Sequence, residues 1–158
     1  MTSFLGRTWA KVDRTYPITV TLPNGDDADD RTRSTTMAAR WAEADPAVAV
    51  LALADPWREG QPAVEWVLSR SLLVSAHLPA FIGKPIGMGD AQITYSGPTT
   101  TIHFNSVNGC CAISMRGEVL KDFLRATAEI LPLGDAREGE IYAAMIEREL
   151  AELFGQQS

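Results

Sequence analysis

His77 and His103, the adjacent pair Cys110-Cys111 and the acidic run Asp26-Asp27-Ala28-Asp29-Asp30 are the residues of this chain best suited to chemistry. Their spacing argues against it in each case. A structural zinc site draws its ligands from Cys and His at short fixed intervals, and the two histidines stand apart from each other and from any Cys-x-x-Cys pattern. Neighbouring cysteines on a strand point to opposite faces, so a disulfide between them is sterically disfavoured and both read as ordinary thiols of a reducing compartment. The acidic run, followed by Arg31-Thr32-Arg33, lacks the glutamate and the spacing of a calcium loop and reads as a solvated insertion. Gly83-Lys84-Pro85-Ile86-Gly87-Met88-Gly89 is rich in glycine, but no Gly-Lys-Ser/Thr follows a strand, so it is not a phosphate-cradling loop. There is no Ser/His/acid set, close carboxylate pair or cofactor fingerprint. The expectation is a protein that is not an enzyme and takes no metal or cofactor.

The frame that carries these residues is sized for one domain. A chain of 158 residues, 46% hydrophobic and 22% charged, has the composition of a soluble globular protein with a single core. Its net charge of −6 and pI near 4.9 argue against a protein built to hold phosphate backbones. The longest apolar run, Ala47 to Ala54, is eight residues, against roughly 20 for a bilayer span. The first residues offer no hydrophobic region for a signal peptide, which makes the cytoplasm the expected compartment.

Alternation and turn chemistry mark the strands. Tyr16 to Leu22 alternates and is closed by Pro23-Asn24-Gly25. Ser34 to Glu43 is ambiguous, with helix formers in Met37-Ala38-Ala39-Arg40 but alternation in Thr35, Met37, Ala39 and Trp41. Asp45-Pro46 reads as a break, with Val48 to Leu53 as a buried strand behind it. Val64 to Leu68 alternates around Trp66, and Ser69 reads as the N-cap of a short helix carrying Leu72, Leu73 and Ala76. Ala91–Tyr95, Thr99–Asn105 and Cys110–Met115 read as three strands joined at Ser96-Gly97-Pro98 and Ser106-Val107-Asn108-Gly109. Val119, Leu120, Phe123, Leu124, Thr127, Ile130 and Leu131 form a helical stripe that Pro132 stops. Asp135 to Glu138 resembles a capping box for a last helix with Leu150, Leu153 and Phe154 on its apolar side.

Four segments in this order resemble the SsgA-like protein family of actinomycetes, which acts in sporulation-specific cell division. Trp41-Ala42-Glu43-Ala44-Asp45-Pro46-Ala47-Val48 is similar to its aromatic-x-x-x-Asp-Pro-x-Ala-Val segment. Val64-Glu65-Trp66-Val67-Leu68-Ser69-Arg70-Ser71-Leu72-Leu73 resembles its Val-x-Trp-x-Phe-x-Arg-x-Leu-Leu stretch, with Leu68 where an aromatic is usual. Gly87-Met88-Gly89-Asp90 looks like its Gly-x-Gly-Asp turn, and Phe123 to Gly134 like its terminal helix and closing Pro-x-Gly. The first 15 residues, the Asn24 to Arg33 insertion, the segment after Arg137 and the turn at Ser106 to Gly109 depart from the family pattern.

The resemblance implies an α+β, Whirly-like fold. That means two antiparallel sheets of about seven strands, a short mid-chain helix and long C-terminal helices. On this reading residues 1–15 are an extension, 16–136 the domain, and 137–158 a helix packed on the same domain or on a neighbouring subunit. Ser34 to Trp41 becomes a strand, since tertiary pairing overrides helix propensity. The implied role is a non-enzymatic adaptor in septum placement, concentrated at division septa. Its partners would be the tubulin-like division protein FtsZ or another SsgA-like protein, and its assembly a homotrimer, with Leu150, Leu153 and Phe154 as contact candidates. The alternatives are single-strand nucleic-acid binding of the Whirly type, which needs a basic groove interleaved with aromatics, and an oligomer without a ligand. Of the motif residues, Trp66 reads as a core aromatic or a stacking platform, and Arg70 as an ion pair, a carbonyl cap or a partner contact. Asp45 and Asp90 read as turn formers, and Gly89 and Gly109 as positive-φ positions. Trp41 and Pro46 read as structural.

Overall fold

The computed structural model describes residues 3–4, 7–22, 32–58, 60–87, 89–106 and 109–133. The expected last helix with Leu150, Leu153 and Phe154, and the acidic run from Asp26 to Asp30, lie outside the described residues. Strands β1 (Ser3–Phe4) and β2 (Arg7–Thr8) form a small two-stranded ribbon. The remaining strands are β3 (Lys11–Thr21), β4 (Thr32–Ala42), β5 (Asp45–Leu53), β6 (Val64–Ser69), β7 (Ala91–Tyr95), β8 (Thr99–Ser106) and β9 (Gly109–Arg116). They make one antiparallel sheet in the order β6-β5-β4-β3-β9-β8-β7. Two helices, α1 (Arg70–Ala76) and α2 (Glu118–Ile130), complete the α+β fold.

The expected pair of sheets is thus replaced by a single continuous one. Two consecutive meanders, β3 to β6 and β7 to β9, are joined because β3 also pairs with β9, Thr19 to Thr21 facing Ser114 to Ala112. The sheet is strongly curled. The β6 and β8 strands are five steps apart in its order, which would be about 24 Å if it were flat. Yet the Trp66 ring on β6 stacks on Phe104 of β8 with centroids 4.1 Å apart. The sheet is therefore a half-barrel whose concave face buries Met37, Leu51, Ile93, Ile102 and Ile113. Its convex face shows hydroxyls: Thr19, Ser114, Thr101 and Thr94 lie in one cross-strand row, as expected for an antiparallel sheet with one solvated side.

Two expectations about element ends change. The strand placed at Tyr16 starts at Lys11, because Lys11 to Tyr16 pair in unbroken register with Ala42 to Met37. Pro17 is tolerated inside it because β9 joins only from Thr19 onward, leaving that flank of the strand unpaired. Asp45 and Pro46 are not the turn. Asp45 opens β5 opposite Ala42, so the chain reverses at Glu43-Ala44, and the register shift between Arg40 and Ala42 sets the single residue Trp41 of β4 against Pro46 to Ala49 of β5, which carries the bulge. Ser34 to Trp41 is a strand, as the resemblance implies.

Both helices lie against the concave side. Ser69 caps α1 as expected, its Oγ accepting from the Leu72 amide at 3.0 Å. Leu73 and Ala76 are fully buried. The α2 helix sinks Leu120, Phe123 and Leu124 into the same core. It is clamped to β3 by Asp122, which accepts from the Tyr16 hydroxyl at 2.6 Å and from Arg14 at 3.1 Å. Burial and the Asp122 carboxylate both push the Tyr16 phenol above its ordinary pKa.

Candidate functional site

The motif residues divide between the two ends of the half-barrel. At one end Trp41, Pro46 and Arg70 converge on the exit of α2. The Trp41 indole donates to the Pro46 carbonyl at 2.9 Å, and the Arg70 guanidinium lies 5.2 Å from the Trp41 ring centroid. Arg70 is completely buried, and its Nη2 donates to the carbonyl of Leu131, the C-cap of α2. This bond is the carbonyl cap, one of the readings open for Arg70. It ties the first residue of α1 to the last turn of α2, and a buried guanidinium is tolerable only with such partners. Asp45 is exposed beside this cluster.

The second end of α1 is fixed by His77. One ring nitrogen bonds the Leu73 carbonyl at 2.7 Å and the other the Thr100 hydroxyl at 3.2 Å. With a carbonyl on Nδ1, the neutral ring donates there and accepts from Thr100 at Nε2. Burial pushes the His77 pKa below its ordinary value; the Leu73 carbonyl opposes this, and Lys121 adds to it. His77 is thus a structural neutral imidazole, and His103 stands on the exposed face of β8, opposite Ala112.

The other end of the half-barrel is open. A cavity of about 450 Å³ is lined by Leu53, Trp57, Val64, Trp66, Phe104 and Cys111 among others. Trp66 is half-buried: it packs against the core and also forms the wall of this cup. Trp57 forms the rim. Its amide donates to Asp55 at 2.9 Å, and its ring faces the Arg33 guanidinium at 5.6 Å. Burial raises the Cys111 pKa, the neighbouring Cys110 adding to it, which favours the protonated thiol. The sequence gives Arg33 only as part of the basic stretch after the acidic run, and nothing in it singles out Phe104. A cluster of aromatics at 57, 66 and 104 becomes a cluster only after the sheet curls.

Gly89 has φ of +78° in the turn before β7, as expected. Gly87 is needed for close approach: a Cβ there would lie 2.4 Å from the Ala91 carbonyl oxygen. The Asp90 carbonyl accepts from the Asn105 amide at 2.8 Å, which fixes the turn to β8. Gly109 opens β9 opposite Ser106, and residues 107 and 108 between them lie outside the described residues.

Among the described residues, no three His, Cys, Asp or Glu side chains are grouped as a metal site would require. No described helix is long and apolar enough to cross a membrane. The chemistry this arrangement offers is recognition by an aromatic apolar concavity.

Comparison with known proteins assigns the family. The family model described as Streptomyces sporulation and cell division protein, SsgA, matches residues 35–136, more than half of the chain. The chain belongs to the SsgA family. Two solved structures share the fold. One comes from work on SsgB mutations and longitudinal cell division during sporulation of Streptomyces coelicolor. It is 19% identical, with a TM-score of 0.64 over 81% of this chain and 94% of that one. The other is an SsgA-like sporulation-specific cell division protein from Thermobifida fusca YX-ER1. It is 22% identical, with a TM-score of 0.61 over 87% of this chain and 96% of that one. No curated protein matches.

Proposed function

We propose that the chain is a non-enzymatic adaptor of cell division that helps place the septum through protein–protein contacts made at the open end of its half-barrel. The observation that carries this reading is the aromatic cup of Trp57, Trp66 and Phe104 in a member of a sporulation and cell-division family. Aromatic side chains with a partly wet face are the residues that most often anchor interfaces. Division-machinery proteins such as FtsZ, or another SsgA-like protein, are the proposed partners, and septa the proposed location. The nucleic-acid reading is not favoured: beside a net charge of −6, Arg33 is engaged with Trp57, and Arg40 with Asp13 and Glu65. A basic groove is what such binding requires.

Calorimetric titration of the purified chain with FtsZ, and separately with a second SsgA-like protein, tests the proposal. Micromolar binding to one of them is expected, weakened roughly tenfold or more by Trp57→Ala, the loss typical of an aromatic anchor. No binding to either, together with salt-sensitive sub-micromolar binding of single-stranded oligonucleotides, would replace this reading with the nucleic-acid one.

A further inference from the structure

Two arginines stand at the mouth of the aromatic cup. Arg14, Arg40 and Arg116 are each paired with an aspartate or a glutamate, whereas neither Arg33 nor Arg58 is paired with a carboxylate among the described residues. Arg33 sits opposite Val20, which lines the cavity, and shares the inward alternation of Met37 and Ala39. Its guanidinium lies 5.6 Å from the Trp57 ring centroid, and its Nη1 donates to the Pro56 carbonyl at 3.5 Å. That contact uses the flat face and one N–H of a group with five, which leaves the other edge for an anion. Arg58 is exposed on the same rim. The carboxylate of the lining, Asp55, accepts from the Trp57 amide and holds the turn. Beneath this rim the walls are apolar, and Val64 among them is 50% accessible.

We propose that the cup takes an extended acidic segment of the partner protein, with two apolar side chains at alternate positions in the cavity and a flanking carboxylate on Arg33. This rests on the reading of the cup as the contact site of a division adaptor, and it names the chemistry that site selects. The cavity of about 450 Å³ is about three times the roughly 150 Å³ that encloses one benzene ring. A single side chain underfills it, whereas an apolar pair on one face of an extended segment fits. A guanidinium already stacked on Trp57 loses little freedom when the acid arrives, and its fork suits a carboxylate. The net charge of −6 repels acidic partners over the surface as a whole. A cationic mouth therefore confines such a contact to this end, so repulsion elsewhere adds to specificity here. A basic segment would meet the reverse arrangement. A nucleic-acid strand needs the basic groups to continue as a groove, and Arg40, further along β4, is held by Asp13 and Glu65.

Fluorescence anisotropy of a dye-labelled synthetic peptide, with leucine and phenylalanine at alternate positions among aspartates, tests this on the full chain. Sub-millimolar binding is expected, weakened about tenfold or more by Trp57→Ala and about fivefold by Arg33→Glu. Arg125→Glu makes the same change in net charge at an exposed position of α2 and should leave the affinity unchanged. The same peptide with lysines in place of aspartates should bind about fivefold more weakly or worse. Equal binding of the two peptides, equal losses for Arg33→Glu and Arg125→Glu, or no binding of the acidic peptide overturns the proposal. Tighter binding of a single-stranded oligonucleotide does so as well. Titration with FtsZ separates this inference from the adaptor reading. A loss on Trp57→Ala without a loss on Arg33→Glu keeps the adaptor and removes the acidic segment. Peptide binding as expected, with no binding of FtsZ or of a second SsgA-like protein, keeps the selectivity of the cup and removes the named partners.

Discussion

The two ends of the half-barrel each hold a tryptophan of the family motif, and they use it in opposite ways. At the closed end Trp41 is buried, its indole satisfied by the Pro46 carbonyl and its face covered by Arg70. At the open end Trp66 has one face on Phe104 and the rest against a cavity of about 450 Å³. The difference is one of closure. The buried Arg70 covers the first ring, while the second lines the wider cavity. A motif tryptophan therefore carries no fixed role; what is packed over it decides whether it stabilises or presents.

The sharpest way to break this contrast is to delete each ring. Trp41→Ala removes a fully packed aromatic, leaves the Pro46 carbonyl without its donor and should cost about 3–5 kcal/mol. That is a large part of the total stability of so small a domain, so a loss of cooperative unfolding in urea is the expected result. Trp66→Ala should cost less, about 1–3 kcal/mol, since it forfeits one stacking contact and half a burial. Equal losses for the two variants in matched urea titrations would mean that the open end is as closed as the other. The smallest effect concerns α1, which Arg70 pins at its start and His77 at its end. The folded-state pKa of His77 is depressed by burial, so the unfolded chain binds the proton more readily. The stability from this group is present above about pH 6.5 and is lost as pH falls below it. One proton sets the slope at no more than about 1.4 kcal/mol per pH unit. His77→Gln should flatten the slope between pH 7.5 and 5.5, and an unchanged slope would remove His77 from the account.

Much of the fold was legible because it is local. Ser69 declared the start of α1 by capping chemistry, whereas β4 stayed ambiguous between helix propensity and alternation at Thr35, Met37, Ala39 and Trp41, and only the family resemblance made it a strand. The first turns of β3 were not legible: Lys11, Asp13 and Arg14 mask the pattern, and only pairing with β4 makes them strand. The curl was invisible because it depends on contacts such as Trp66 with Phe104. For the same reason the cup was missed even though Trp66 was singled out. The buried Arg70 was readable as a candidate cap, but its acceptor, Leu131, lies 61 residues away. Sequence spacing gives no measure of such a pair.

The junction of β3 with β9 has a kinetic meaning. Each meander on either side of it is built from hairpins between neighbouring strands, which close short loops and form early. The junction itself joins residues 19–21 to residues 112–114 through three paired positions, and must close a loop of most of the described chain before any contact rewards it. During synthesis β3 to β6 emerge with the β3 edge unpaired, and it stays so until β9 has left the ribosome. The interval between those two events is when this chain is most open to pairing with the wrong strand.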